Sequence, residues 1–273
     1  MEIQYRFDIA FLIEKKIMAS QKMLVRDVIK KADVLLEVVD ARFPEDTRNS
    51  EAERDITYAK KPFIIVLNKC DLVPKEKLEK AKTRMAKIAP AVFVSSKEKF
   101  GTTMLRHKIL EVANIQGRDI IVGCIGYPNT GKSSVINGVT GKNKASTSAI
   151  SGHTKGIQIV NAGSRIVFLD TPGVIPFDEH DEYMQGLLSI KDATHLKDQI
   201  GVALKIIEKL VVESKETLES CYNVTTGDKN SYEILEMIGM QSNFLKKKGE
   251  VDETRAAIKI INDWQKGSLM TYN

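Results

Sequence analysis

The chain has 273 residues, of which 42% are hydrophobic and 28% are charged, and its formal net charge is +5. This composition is typical of a soluble globular protein, and the length is enough for one large domain or for two domains. The longest early apolar run, residues 9–13, is too short to span a bilayer or to form a signal-peptide core. Three cysteines without metal-ligand spacing indicate reduced thiols, so we expect a cytoplasmic protein.

Short runs rich in Val, Ile and Phe alternate with segments of helical periodicity, and several runs are apolar on both faces. The predicted strands are residues 34–41, 63–69, 91–96, 120–126, 156–163 and 165–170. The predicted helices are residues 20–32, 49–60, 75–88, 102–114 and 131–139. This alternation predicts an open α/β sheet with helices on both faces. We expect 156–163 to run antiparallel to 165–170 across a turn at 162–164.

The strand signals stop after the sixth predicted strand. Residues 182–220 and 231–265 are predicted to be helical, with a loop at 222–230 between them. The sequence therefore predicts two domains, an α/β domain at residues 1–178 and an all-helical domain at residues 179–273.

The last predicted helix has recognisable ends. Asp252 is a candidate cap at its start, and Gly267 marks its end. Between them Ala257, Ile261 and Trp264 fall on one stripe, which we expect to be a packing surface.

The octapeptide GYPNTGKS fits the pattern G-x-x-x-x-G-K-[S/T] and stands between a predicted strand and a predicted helix, which is the context that the motif requires. Gly126 and Gly131 allow the backbone to wrap around a phosphate, so that consecutive N–H groups converge on its oxygens. Lys132 supplies a positive charge to the β- and γ-phosphates, and Ser133 offers a hydroxyl to Mg²⁺. The residues predicted to bind phosphate are Asn129, Thr130, Gly131, Lys132, Ser133 and Ser134.

Two further segments are predicted to reach the γ-phosphate. The sequence FLDTPG ends a strand, which places Asp170 to hold Mg²⁺ and the backbone N–H of Gly173 to meet the γ-phosphate. The Gly-, Ser- and Thr-rich segment 141–156 cannot bury a core, and a loop ordered by the γ-phosphate is expected there. Within it Thr154 is the candidate ligand of Mg²⁺, and Thr147 is the alternative.

A second motif, NKCD, follows the second predicted strand. The carboxylate of Asp71 can accept hydrogen bonds from N1 and N2 of guanine, whereas adenine presents neither donor there and would leave the carboxylate unpaired. The stem of Lys69 can lie over the base. The tripeptide SSK ends the next strand, where backbone N–H groups can meet guanine O6. The residues predicted to bind the base are Asn68, Lys69, Asp71, Ser95, Ser96 and Lys97.

The base motif precedes the phosphate motif by about sixty residues, which reverses the usual order of such pockets. A doubly wound sheet allows this order, because the pocket lies along the carboxyl ends of the strands and the rank of each loop in the chain is irrelevant. The elements of a GTP-binding pocket are therefore all present, in rotated order.

In this order the motifs NKxD, SSK, GxPNxGKS and DTPG resemble those of the circularly permuted GTPases of the YlqF/YawG type (ribosome biogenesis GTPase A-like). DARFPEDTRN (40–49) is similar to the family's D-A-R-x-P segment, and AAIKIINDWQKG (256–267) is similar to its C-terminal end. The resemblance covers about residues 24–267. It implies a P-loop GTPase fold, hydrolysis of GTP to GDP and phosphate, and help in maturing the large ribosomal subunit through a helical domain that contacts ribosomal RNA.

The chain departs from the family pattern at two places. The family's N-terminal G-H-M segment is replaced by MASQKML (18–24), so a role of that histidine does not carry over. Val174 stands where Ras-like GTPases have a glutamine that orients water, which predicts slow intrinsic hydrolysis. The resemblance implies that Asn129 binds K⁺ and so adds a compensating charge; the alternative is that Asn129 only stabilises its turn.

Charge is unevenly spread along the chain. Residues 61–120 carry 13 Lys/Arg against 6 Asp/Glu, whereas residues 181–273 carry 12 against 15. The basic stretch fits either a polyanion partner or a solvated lysine-rich helix. If RNA is the partner, the phosphate contacts must come from this stretch or from the lysines at 246–248.

Three other functions stay open at this point. An RNA-binding module with a vestigial pocket would bind GTP without turnover, and a different client, such as tRNA or a membrane-bound partner, would leave the motifs unchanged. No amphipathic basic helix or lipidation signal favours a membrane. An ATPase conflicts with Asp71. A monomer is favoured, although the sequence does not determine the oligomeric state.

Overall fold

The computed structural model describes residues 22–141, 158–162, 165–171 and 182–269. The chain divides into two compact units, Met1–Asp178 and Glu179–Asn273. Within the described ranges, every helix is too short or too polar to cross a bilayer.

The first unit contains a six-stranded sheet. Its strands are β1 (Val34–Asp40), β2 (Phe63–Asn68), β3 (Ala91–Phe93), β4 (Ile120–Ile125), β5 (Gln158–Asn161) and β6 (Ile166–Asp170). They lie in the order β3-β2-β1-β4-β6-β5. All neighbours are parallel except β5, which is antiparallel to β6. The predicted fold class, including the antiparallel strand, is confirmed.

Helices cover both faces of this sheet. They are α1 (22–31), α2 (Ser50–Tyr58), α3 (Lys75–Met85), α4 (Thr102–Ala113) and α5 (Lys132–Thr140). Successive side chains of a strand point to opposite faces. In β1, Leu36 and Val38 therefore belong to the core beneath α4 and α5. Leu35 packs in the core with α1 and α2, and Val39 packs in the core with α3.

The strand order explains how motifs far apart in the chain can serve one site. The five parallel strands end at the same edge of the sheet, and β1 has β2 on one side and β4 on the other. The NKCD motif follows β2 and the phosphate loop follows β4, so only the width of β1 separates them.

The described part of the second unit is helical. Its helices are α6 (Glu182–Leu187), α7 (Gln199–Glu213), α8 (Lys215–Tyr222), α9 (Ser231–Gln241) and α10 (Glu253–Lys266). The predicted features of the last helix are confirmed. The side chain of Asp252 accepts a hydrogen bond from the N–H of Arg255, and Gly267 ends the helix at φ +83°. The three predicted stripe residues are buried, and the indole of Trp264 donates to the carbonyl oxygen of Leu187 over 2.9 Å.

The two long predicted helices are both interrupted, so their predicted extents were wrong. Ser189 lies at φ +60° between α6 and α7, and Asn243 and Gly249 lie at φ +54° and +83° between α9 and α10. Left-handed residues cannot continue a right-handed helix. Leu245 and Val251 instead form an antiparallel bridge across the second interruption.

Candidate nucleotide-binding site

Two glycines shape the phosphate loop between β4 and α5. Gly126 has φ +143°, and a Cβ there would lie 2.4 Å from the carbonyl oxygen of Val38 in β1. Gly131 has φ +92°, and a Cβ there would lie 2.2 Å from Nδ2 of Asn68. Any residue with a Cβ atom would clash at both positions. The loop therefore lies directly against β1 and against the base motif.

The ammonium of Lys132 is held inside the phosphate loop. Its Nζ donates to the carbonyl oxygens of Gly126 (3.1 Å) and Tyr127 (2.8 Å). Burial lowers the pKa of Lys132 to about 8, although the carboxylate of Asp170 opposes this shift. A buried cation held mainly by neutral carbonyls would be stabilised by an anion, as the phosphate motif predicts.

Ser133 and Asp170 meet at the carboxyl ends of β4 and β6. The hydroxyl of Ser133 donates to Oδ2 of Asp170 over 2.7 Å. The other oxygen, Oδ1, is buried and has no hydrogen-bond partner among the described residues. Burial raises the pKa of Asp170, while the Ser133 hydrogen bond and the charge of Lys132 act against the rise. An orphaned carboxylate oxygen beside a serine hydroxyl offers the hard oxygen ligands that Mg²⁺ prefers.

Asn68 joins three of the sequence motifs. Its Nδ2 donates to the carbonyl oxygen of Thr130 in the phosphate loop over 2.7 Å. Its Oδ1 accepts from the hydroxyl of Ser96 at 2.9 Å and from the N–H of Ser96 at 3.3 Å. The NKCD motif, the SSK motif and the phosphate loop therefore form one cluster.

A family model described as a 50S ribosome-binding GTPase matches residues 121–234. The chain is 41% identical over 253 residues to an uncharacterized GTP-binding protein of Methanocaldococcus jannaschii, covering 92% of this chain and 66% of that protein. It is 33% identical over 255 residues to nucleolar GTP-binding protein 2 of Saccharomyces cerevisiae, covering 89% of this chain and 50% of that protein. The chain thus spans about half to two thirds of the length of the curated relatives it matches.

Two solved structures of YlqF share the fold. A GNP-bound YlqF from T. maritima has a TM-score of 0.61 and 22% identity, covering 91% of this chain and 94% of that chain. A GDP-bound YlqF has a TM-score of 0.61 and 21% identity, covering 89% and 94%. The chain has the P-loop GTPase fold with the circular permutation of YlqF, and its sequence is similar to those of GTP-binding proteins.

The remaining residues of the permuted base motif lie just beyond β2. Lys69 adopts a left-handed conformation at φ +60°. Its Nζ lies 2.8 Å from Oδ2 of Asp40, the last residue of β1. Asp71 follows in the short turn Cys70–Leu72, where its side chain is exposed and can reach a ligand.

The SSK residues differ in their surroundings. Ser95 is buried, and its hydroxyl oxygen accepts from the N–H of Glu98 over 3.0 Å, which shapes the turn after β3. Lys97 is exposed, and its Nζ lies 3.9 Å from Oε1 of Glu98. Ser96 is therefore the residue of this motif that contacts Asn68, whereas Lys97 points to solvent.

The other predicted phosphate-loop residues lie between β4 and the first turn of α5. Asn129 has φ +57° at the loop's turn. Thr130 is buried, and its hydroxyl donates to the carbonyl oxygen of Tyr127 over 3.0 Å. Ser134 is half-buried in the first turn of α5. The remaining predicted residues lie outside the described residues: Thr147, Thr154, Gly173 and Val174.

Sequence reasoning gave no role to Asp40 and Arg42, although it noted the D-A-R segment. The guanidinium of Arg42 donates from Nε to Oδ1 of Asp40 at 2.9 Å and from Nη2 to Oδ2 at 2.7 Å. Burial tends to raise the pKa of Asp40, but the charges of Lys69 and Arg42 outweigh it and hold that pKa well below its usual range. The available signal was an acidic residue at the carboxyl end of a largely apolar strand.

Proposed function

We propose that the protein binds GTP and hydrolyses it to GDP and phosphate, and that it acts as a nucleotide-dependent assembly factor for the large ribosomal subunit. The observation that carries the nucleotide part is the contact between Asn68 and Thr130, because it joins a base-reading motif to a phosphate loop. Asp71 would select guanine by accepting from its N1 and N2. Lys132 and the N–H groups of the phosphate loop would bind the phosphates.

Mg²⁺ fits the oxygen ligands of this site. We propose that the hydroxyl of Ser133 and the carboxylate of Asp170 hold the ion, with Thr154 as a further ligand. When bound, Mg²⁺ neutralises negative charge on the β- and γ-phosphates. The chain's own contribution is to keep the two oxygen groups together, as their 2.7 Å hydrogen bond already does.

We propose that hydrolysis by the isolated protein is slow. Val174 cannot hydrogen-bond a water molecule, so the chain lacks at that position the glutamine that orients water in Ras-like GTPases. The amide oxygen of Asn129 is a suitable ligand for K⁺, which would add positive charge close to the phosphates. Stimulation by K⁺ and by the ribosomal particle would then supply the missing rate.

The proposed RNA partner is supported by the matched family model, which describes a 50S ribosome-binding GTPase, and by the similarity to nucleolar GTP-binding proteins. Exposed basic side chains on α3 and just after it supply suitable charge: Lys77, Lys80, Arg84 and Lys87. Their spacing places them on one side of the helix. We propose that this basic stripe contacts RNA phosphates together with the helical domain, residues 179–273, whose own charge balance is acidic.

The nucleotide part is tested by the base preference of the Asp71→Asn variant. If the carboxylate reads guanine, the variant should lose GDP affinity and gain affinity for xanthosine diphosphate, because an amide can donate to the xanthine O2. An unchanged preference for GDP would refute the role of Asp71. ATP should compete poorly with GDP for the wild-type protein.

The assembly part is tested by two measurements on the full chain. GTP hydrolysis should be faster with large-subunit particles than without them, and faster in K⁺ than in Na⁺. Equal rates in all four conditions would remove both forms of stimulation and favour a GTP-regulated RNA-binding module with little hydrolysis. Co-sedimentation with the particles should be stronger in GTP than in GDP.

A further inference from the structure

A buried charge cluster lies between the two halves of the proposed nucleotide site. Asp40 ends β1, and its carboxylate is in contact with Nε and Nη2 of Arg42 and with Nζ of Lys69, at 2.9, 2.7 and 2.8 Å. The backbone N–H of Arg42 adds a fourth contact at 3.1 Å. The side chains of Arg42 and Asp40 are only 0% and 1% exposed.

The cluster stands between the base motif and the phosphate loop. β1 separates β2 from β4, and the phosphate loop passes so close to β1 that a Cβ on Gly126 would lie 2.4 Å from the carbonyl oxygen of Val38. Asp40 is two residues further along the same strand. Lys69 reaches it from the base side. The ammonium of Lys69 is thus anchored at the junction of the two loops.

Lys69 combines this ion pair with an unusual backbone conformation. Lys69 lies at φ +60°, a region that non-glycine residues rarely adopt. A buried salt bridge contributes little net stability, since desolvation offsets the attraction of the charges. Its main effect is therefore geometric. The bidentate contact from Arg42 fixes the plane of the Asp40 carboxylate, and that carboxylate fixes the end of the Lys69 side chain.

We propose that Asp40 and Arg42 are positioning residues for the guanine base. Asp40 anchors the ammonium of Lys69 so that its aliphatic stem is preorganised over the base, and Arg42 locks Asp40. Neither residue touches the nucleotide. This inference rests on the proposed guanine-nucleotide site. It adds two residues that affect the affinity for the nucleotide through Lys69, without touching the nucleotide.

A purely electrostatic role makes the opposite prediction. The cluster holds two cations against one anion, so its surplus positive charge would attract the phosphates. Removing the charge of Asp40 would then tighten the binding of GDP and leave guanosine, which has no phosphate, unaffected. Preorganisation of Lys69 instead predicts weaker binding of both ligands by a similar factor.

The experiment measures dissociation constants of GDP and guanosine for the full chain by calorimetry. Asp40→Asn and Lys69→Met should each weaken both ligands by about tenfold, a coupling of the size seen between contacting residues. The double variant should be no weaker than Lys69→Met alone, because the anchor has no function without the ammonium. Arg42→Lys keeps the charge but loses the bidentate contact, and should give an intermediate loss.

The control variant is Asp33→Asn, at the other end of β1. Asp33 accepts a matched bidentate contact from Nη1 and Nη2 of Arg118, both at 2.8 Å. It precedes the first residue of β1, at the amino edge of the sheet, so its loss should leave the GDP dissociation constant unchanged. Thermal unfolding of every variant separates lost affinity from lost folding, and Arg42→Lys serves if Asp40→Asn does not fold.

Two sets of outcomes separate the inference from the proposed function. Unchanged or tighter GDP binding by folded Asp40→Asn, or additive losses in the double variant, would overturn the positioning role. A wild-type protein that binds no guanine nucleotide would instead overturn the proposed function, and the inference with it.

Discussion

The amide of Asn68 donates to the carbonyl oxygen of Thr130 over 2.7 Å, across 62 residues of the chain. The same side chain accepts two hydrogen bonds from Ser96. One buried asparagine therefore sets the spacing between the base motif and the phosphate loop. Since a nucleotide must contact both loops at once, this spacing determines whether the pocket can hold it.

The Asn68→Ala variant should bind GDP more weakly. The substitution leaves the carbonyl of Thr130 and the groups of Ser96 without their partner, a loss of roughly 1–3 kcal/mol, or about 5- to 150-fold in affinity. The dissociation constant of GDP measures the effect. Asn49→Ala is the matched control, because Asn49 is also buried but caps α2 through the N–H of Ala52. It should lower stability without weakening GDP binding.

Gly131→Ala should disrupt the same junction by a steric route. Its Cβ would lie 2.2 Å from Nδ2 of Asn68, at a φ of +92° that alanine disfavours. Gly117→Ala separates the two effects, because Gly117 lies at φ +79° with nothing within 4 Å of the added Cβ. Both variants should lose about 1–2 kcal/mol of unfolding free energy to backbone strain. Only Gly131→Ala should also lose GDP affinity; equal affinities would show that the close approach is unimportant.

The buried carboxyl group of Glu37 should make the free energy of unfolding depend on pH. It is buried in β1, and its Oε1 accepts from the N–H of Asn49 while its Oε2 has no hydrogen-bond partner among the described residues. Burial, followed by the charge of Glu53, raises the pKa of Glu37 well above its usual value. Between the unfolded and the folded pKa the folded state binds more protons, so this group lowers stability as pH rises.

The Glu37→Gln variant should remove that loss. We expect it to raise the free energy of unfolding at pH 8 by about 1 kcal/mol or more, with a smaller effect at pH 5, as measured by urea denaturation. A gain in stability over wild type that is smaller at pH 8 than at pH 5 would contradict the assignment.

The Asp33→Asn variant should have a lower free energy of unfolding than wild type at neutral pH and a smaller deficit in acid. A hydrogen bond from Arg118 lowers the pKa of Asp33, so its charge stabilises the protein at neutral pH and that stability is lost in acid.

Removal of Mg²⁺ should weaken nucleotide binding by the wild-type protein. Asp170→Asn should bind GDP about equally with Mg²⁺ and with a chelator, because the one carboxylate among the three proposed oxygen ligands loses its charge. Ser133→Ala should show a reduced response to the ion. Titration of GDP in both conditions checks this, and a full Mg²⁺ response in Asp170→Asn would exclude that carboxylate as a ligand.

The basic stripe on α3 should contribute to RNA binding. Replacing Lys77, Lys80 and Lys87 together by glutamate should reduce co-sedimentation with large-subunit particles at least tenfold, and should flatten its dependence on salt. Arg84 is left unchanged because it pairs with Glu45 at 2.5 Å. The matched control replaces the three lysines at 246–248 by glutamate, which is the same change of charge. A greater loss in that control would assign the phosphate contacts to the second unit.

Much of the fold and of the candidate site could be predicted because their signals are local. Apolar runs of strand length predicted the six strands, and GYPNTGKS marked a turn whose glycines and lysine stand at fixed spacing. The cap at Asp252 and the end at Gly267 are likewise local, since each depends on backbone groups within one helical turn. The interruption at Ser189 had no such signal, because that residue is neither a proline nor a glycine, whereas the second interruption does contain a glycine, Gly249.

The sequence by itself determined which groups can bind phosphate, guanine and a hard cation, since those properties belong to the residue types. Only the tertiary structure decided which of them meet. Asp40 contacts Lys69, and Asn68 contacts Thr130, because β1 lies between β2 and β4. That neighbourhood is set by the packing of whole strands and helices, a sum of many weak apolar contacts that no single residue pair in the sequence reveals.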